Sequence, residues 1–114
     1  GLALPMGRRG PAFLTYDNFD VYLEWNQSIT YALTAANLAA RLAGAPAFDP
    51  RNAEPGLGGD QMKELQTRLE AKGYDVGSVD GILGTNTREA IRQEQKRLGL
   101  PVDGWPTPDL LAKL

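Results

Sequence analysis

Cysteine and histidine are both absent from the chain. Their absence removes disulfides, thiol nucleophiles, the usual Cys/His structural zinc site and every catalytic triad that needs an imidazole base. Neither a metal nor a cofactor is expected. Long apolar runs are missing too: nothing approaches the roughly 18 residues that would suggest a membrane span, and neither an initiator methionine nor a signal peptide opens the sequence. An excess of one charge is also lacking. The 12 Lys and Arg residues are interleaved with 14 Asp and Glu for a net charge of -2, which is not the footprint of a nucleic-acid binder. What remains is ordinary globular composition, 42% hydrophobic and 23% charged over 114 residues, enough for one domain or two very small ones. Because Gly1 falls in mid-pattern, the sequence reads as a piece of a longer protein.

The most regular feature present is a device that runs twice between Gly73 and Leu114. Each copy has a glycine, a hydrophobic strand-like tripeptide, an Asp-Gly turn and a threonine that starts a helix. The first reads Gly73-Tyr74-Asp75-Val76, Asp80-Gly81, Thr85; the second reads Gly99-Leu100-Pro101-Val102, Asp103-Gly104, Thr107. An aspartate in such a turn bonds nearby backbone amides, and the glycine after it accepts a positive φ without steric cost, so the turns are read as scaffold.

Helices fit between these loops. Asp60 can cap a helix whose Met62, Leu65 and Leu69 share one face, and Gly73 ends it as a left-handed C-terminal cap with Tyr74 folding back onto the last turn. Thr85 is placed to cap the next, which carries Ala90, Ile91, Gln95 and Leu98 along one side. Thr107 followed by Pro108 starts the last, with Leu110, Leu111 and Leu114 to bury. Glu94 lies in phase with the apolar stripe of the middle helix. It is expected at the edge of that stripe, its methylenes covering apolar surface and its carboxylate reaching water or a basic neighbour such as Arg97.

Residues 46–59 hold Pro46, Pro50 and Pro55 and show no periodicity, which predicts an irregular interdomain linker with Asp49, Arg51 and Glu54 as solvating charges. Before it, residues 1–45 predict an extended stretch after Gly10-Pro11, then a short helix opened by Asp17-Asn18 that bears Phe19, Tyr22, Leu23 and Trp25. A turn at Asn26-Gln27 follows. Ser28 then caps a longer helix, Ile29 to Ala43, that is apolar almost all round and calls for more cover than this half can supply.

Residues 60–114 resemble the type 1 peptidoglycan-binding domain, a three-helix module appended to many bacterial cell-wall enzymes. The matching pattern is Leu65-Gln66 with Leu69, Gly73-Tyr74, Val79-Asp80-Gly81, Gly84, Thr85, Ala90-Ile91, Gln95 and Gly99 through Gly104. Glu94 departs from it, standing where the family usually has an aromatic. Within this half the binding candidates are Tyr74, Asn86, Arg88 and Trp105, chosen as exposed residues on loops or early helix turns.

The run Gly10 to Leu14, then Asn18-Phe19, then Trp25 to Leu33 resembles the closing segment of the catalytic domain of lytic murein transglycosylases of the membrane-bound B type, which cleave glycan strands and have a lysozyme-like fold. The two resemblances imply a mainly α chain: a remnant of a lysozyme-like catalytic domain, a linker, and a small three-helix wall-binding domain with two loop repeats. They also imply that Trp25, Asn26 and Tyr31 line the glycan groove, aromatic faces covering pyranose rings and the amide meeting an acetamido group. Core packing for Trp25 and Tyr31, and a turn role for Asn26, are the alternatives. Ser28 is read as a cap.

In the resembled enzymes one glutamate serves as acid and then base, so that the muramic acid 6-hydroxyl attacks and a 1,6-anhydro sugar forms. No local sequence here matches that glutamate, and Glu24 falls on the solvent side of its short helix. No catalytic residue is assigned, and the chain by itself is expected to bind wall polymer and cleave nothing. The implied partner is peptidoglycan, both glycan strands and stem peptides, with no nucleic acid and no membrane span. The implied compartment is the periplasm, with outer-membrane association through the parent protein. Other readings are a stand-alone wall-binding protein and a generic helical interaction domain.

Overall fold

A computed structural model describes residues 1–25 and 28–114, with the side chains of residues 22, 24 and 25 excepted. Asn26, the side chain of Trp25 and the expected orientation of Glu24 lie outside the described residues. Among those described, five helices and one two-stranded ribbon form. In the ribbon, β1 (Leu2–Ala3) pairs antiparallel with β2 (Phe13–Leu14), Leu2 opposite Leu14. Then come α1 (Asp17–Trp25), α2 (Ile29–Leu42), α3 (Gly59–Ala71), α4 (Thr85–Leu98) and α5 (Pro108–Lys113).

Ser28 caps α2 by accepting a hydrogen bond from the Tyr31 backbone amide. The helix buries only Ala32 and Leu33, while Leu38 and Leu42, on the same face as Tyr31, are 59% and 81% exposed. Its apolar sequence therefore outruns the cover available, as the lack of a polar face implied.

The second half is built around one core. Met62, Leu65, Leu69, Val76, Ala90, Ile91, Leu110 and Leu111 pack together, with Leu57, Tyr74, Leu83, Leu98, Leu100 and Leu114 around them. Leu65, Leu69 and Ile91 are fully buried, each stabilising the fold by roughly 1.5–3 kcal/mol relative to exposure. The helix ends repeat as the loops do. At the end of α3, Gly73 N–H bonds the Glu70 carbonyl and Tyr74 N–H the Leu69 carbonyl; at the end of α4, Gly99 N–H bonds Lys96 and Leu100 N–H bonds Gln95. Both are Schellman caps.

Three local expectations are corrected. Gly58 and Gly84, both in extended backbone, occupy the N-cap positions of α3 and α4, so Asp60 and Thr85 fall inside the first turns. The strand-like tripeptides are loops, because neither meets a second extended segment. The stretch 46–59 has no regular structure, but it does not run free. The Phe48 ring sits edge-on to Phe13 at 5.3 Å, Asn52 N–H bonds the Arg9 carbonyl, Arg51 donates from Nη2 to the Arg8 carbonyl, and Leu57 packs on the core of the second half. Glu54 pairs with Arg8 at 3.6 Å and Arg9 at 3.3 Å. These charges were expected to be solvating groups; here they hold a strap in place.

Candidate functional site

Two buried glutamines organise the repeated loops. On α3, the Gln66 amide donates to Asp80 Oδ1 (3.3 Å), the Ile82 carbonyl (3.0 Å) and Thr87 Oγ1 (3.1 Å), while its oxygen accepts from Gly81 N–H (2.9 Å). On α4, Gln95 donates to Asp103 Oδ1 (2.9 Å) and accepts from Asp103 N–H (3.1 Å) and Gly104 N–H (2.9 Å). Each aspartate in turn accepts the amide two residues on, from Ile82 and Trp105. Gly81 and Gly104 take φ of 77° and 70°, where a side chain would be strained. The aspartates are thus fully used in holding loops. Asp80 is kept below the usual carboxylate range chiefly by the Ile82 amide, with Ser78 and Gln66 assisting.

The sequence-derived binding residues scatter over this frame. Tyr31 is 65% exposed in the first turn of α2. Asn86 is exposed at the start of α4. Tyr74 is half-buried and donates its hydroxyl to Glu94 Oε1 at 2.8 Å, the bond that does most to raise its pKa.

Three of the expected exposures are corrected, that of the half-buried Tyr74 and two more. Arg88 is 4% exposed, because the second loop lies over its side of α4, Gly104 standing close to the Arg88 carbonyl. Burial first, and then the charge of Arg92, pushes its pKa down to about 10, and its Nε lacks a partner. Trp105 is half-buried and donates its indole N–H to the Glu54 carbonyl at 2.7 Å. A β-carbon on Gly56 would stand 2.9 Å from its ring, and one on Gly7, whose φ is 80°, would stand 2.7 Å from its Cβ. The amide of Arg8 also reaches Asp103 Oδ2 at 2.9 Å. Trp105 is therefore where the strap and the amino-terminal segment dock on the second loop.

Glu94 is more deeply placed than expected. It is 2% exposed and accepts from Arg97 Nε and Nη2, at 3.1 and 2.7 Å, and from Tyr74, with Lys72 at 3.8 Å. Hydrogen bonds from Arg97 outweigh the burial that opposes ionisation, so its carboxyl is held below the ordinary glutamate value. The folded group thus titrates below the unfolded one: the ionised cluster adds stability above the ordinary glutamate range, and that stability is lost as pH falls through the depressed folded value. The melting temperature is expected to drop on acidification through that window, and Glu94→Gln to flatten this acid limb. Parallel acid limbs in the two proteins would count against the assignment.

Among the described residues no three acidic side chains gather as a metal site, and no helix is long and apolar enough to cross a membrane.

Comparison with known proteins fits this architecture. Residues 58–114, half of the chain, match the family model of the peptidoglycan binding domain, and residues 1–40 match that of the transglycosylase SLT domain. The spore cortex-lytic enzyme of Bacillus cereus is 41% identical over 64 residues, 56% of this chain and 25% of that enzyme. An N-acetylmuramoyl-L-alanine amidase of Mycobacterium tuberculosis is 40% identical over 58 residues, 51% of this chain and 14% of its own length. Among solved structures, SltB3 from Pseudomonas aeruginosa in complex with NAG-anhNAM-pentapeptide aligns with a TM-score of 0.72 and 46% identity, covering 99% of this chain and 31% of that one. The chain thus matches only 14–31% of the length of these proteins. With half of its residues matched by the family model, the chain belongs to the peptidoglycan binding domain family, and the residues ahead of that domain are similar to the transglycosylase SLT domain.

Proposed function

We propose that the chain is the carboxy-terminal portion of a lytic murein transglycosylase, in which residues 60–114 hold the enzyme on insoluble peptidoglycan and residues 1–45 close one wall of the glycan cleft. The observation that carries this is the joint match: both segments, in this order, align along 99% of the chain with SltB3, whose complex holds an anhydro-muropeptide. Tyr31, exposed on α2, contributes an aromatic face to the sugar groove together with Trp25 and Asn26. Asn86 and the open side of Tyr74 contribute on the second half, while Arg88 and Trp105 act as supports beneath it. The parent enzyme forms 1,6-anhydromuramic ends with a glutamate that this chain does not supply. The compartment is the periplasm, with the parent associated with the outer membrane.

Holding the enzyme on a polymer raises the local concentration of cleavable bonds without any new catalytic contact. Purified chain is expected to sediment with insoluble peptidoglycan at low salt. If it stays in the supernatant, the reading fails. A second reading, a wall-binding module with no lytic partner of its own, draws on the cortex-lytic and amidase relatives, whose alignments cover only about half of this chain. Product analysis of the full-length parent separates the two: anhydro-muropeptides support the first, and hydrolysed ends or no release support the second.

A further inference from the structure

We propose that the start of α4 holds a small free tetrahedral oxyanion, of the phosphate or sulfate class, against the guanidinium of Arg88. This goes beyond the wall-binding reading and does not depend on it. The observation behind it is a cation buried without a counterpart: Arg88 is 4% exposed, and its enclosed Nε has no acceptor among the described residues. The carboxylates around it are already used. Glu89 receives Arg92 and Gln93, Glu94 receives Arg97 and Tyr74, and Asp103 in the overlying loop receives Gln95, Trp105 N–H and Arg8 N–H. Deprotonation offers no escape, since burial lowers its pKa only to about 10 and leaves it charged at neutral pH. A buried charge is costly unless it is paired, and a buried donor is ordinarily satisfied by protein, water or an ion.

The place of Arg88 in the helix says which ion. It is the fourth residue of α4, and a long side chain there leans back over the turn before it. That turn carries the positive end of the helix dipole, with its amides directed out of the helix end. It has no acidic side chain, and its N-cap, Gly84, makes no side-chain bond to it. Arg92 adds a second cation one turn on, its Nε standing 3.3 Å from where a β-carbon on Gly104 would lie, in the loop that covers Arg88. A guanidinium fork and a helix end approach an ion from different directions, which calls for more than the two acceptor oxygens of a carboxylate. With so little of Arg88 exposed, a free ion fits where a group carried on a polymer strand does not.

The test is thermal unfolding of the whole chain at rising phosphate, with ionic strength matched by sodium chloride, in the wild type and in Arg88→Met, which keeps an apolar stem and discards the charge. Wild type is expected to gain about 4 °C or more by about 20 mM phosphate, saturating with a midpoint of about 1 mM, and Arg88→Met to gain only the general salting effect. Sulfate should match phosphate, and acetate should not. NMR spectra of the wild type, which need no variant, are expected to show the Arg88 Nε–H and the first-turn amides of α4 shifting together with the same midpoint. An equal gain in Arg88→Met, a gain from acetate as large as that from phosphate, or shifts scattered over surface lysines and arginines, meaning an adventitious ion only, each overturns the proposal. Sedimentation with insoluble peptidoglycan is run with and without phosphate and is expected to be the same in both. Wall binding that phosphate abolishes puts the polymer rather than the free ion on Arg88 and overturns the assignment. Chain that never sediments but is stabilised by phosphate removes the wall-binding reading and leaves the anion site standing.

Discussion

Replacing Gln66 by Ala is expected to remove about 3 kcal/mol from the stability of the second half, seen as a fall of about 12–24 °C in melting temperature. The side chain is fully buried and makes four hydrogen bonds that join α3 to the first loop and to Thr87 on α4. Truncation leaves a cavity and strands the Gly81 amide and the Ile82 carbonyl in a loop that has no strand partner to take them over. In a unit this small the apolar core leaves little reserve, so one such loss consumes much of the stability. Thr67→Ala, next along the helix and exposed, is the control and is expected to change stability by less than about 0.5 kcal/mol. A Gln66→Ala loss below about 1 kcal/mol in urea denaturation would show that the loop holds itself. Gln95→Ala should follow Gln66→Ala and also loosen the amino-terminal segment, since its loop carries the Asp103 carboxylate that receives Arg8.

Trp105→Ala is expected to cost about 2–3 kcal/mol, below the roughly 3–5 kcal/mol of a fully buried aromatic truncation because the ring is only half-buried. Its more telling effect lies at a distance. Without the indole bond to the Glu54 carbonyl and the ring surface against Gly56 and Gly7, the strap loses its main attachment to the second half. Native-state hydrogen exchange at the amides of Asn52 and Arg8, which bond Arg9 and Asp103, should accelerate roughly tenfold or more, while amides in the middle of α4 change in step with global stability only. Trp105→Phe keeps the ring and discards the N–H, and should fall between. Unaltered exchange at Asn52 and Arg8 would mean that the strap is held by Glu54 and its arginines without the ring.

Local rules carried much of the fold. The Schellman glycines, the Thr107-Pro108 start of α5, the Ser28 cap and the core stripe of Met62, Leu65, Leu69, Ala90 and Ile91 each follow from neighbours within a turn, and each is found in the structure. The missed features are those closed over distance. Gln66 and Gln95 perform the same task, but their aspartates lie 14 and 8 residues away, and that unequal spacing hides the equivalence. Arg88 looked exposed because an arginine in a first helical turn commonly is; the loop that covers it is contributed by the second repeat. The strap showed no periodicity to read, since its bonds reach partners 43 and 51 residues off, as in Arg51 to Arg8 and Trp105 to Glu54. The contact of Arg8 with Asp103 was illegible for the same reason: the two stand 95 residues apart in the chain.

A connector that lies pinned along both of its neighbours behaves as a ruler rather than a leash. A slack leash would let the anchoring module sample a sphere of positions, and cutting would fall at random within that reach. Pinned through Phe13, Arg8, Arg9 and Trp105, the segment instead fixes the separation of the two halves. Under the function proposed above, the point of grip and the groove would then stand a set number of polymer repeats apart.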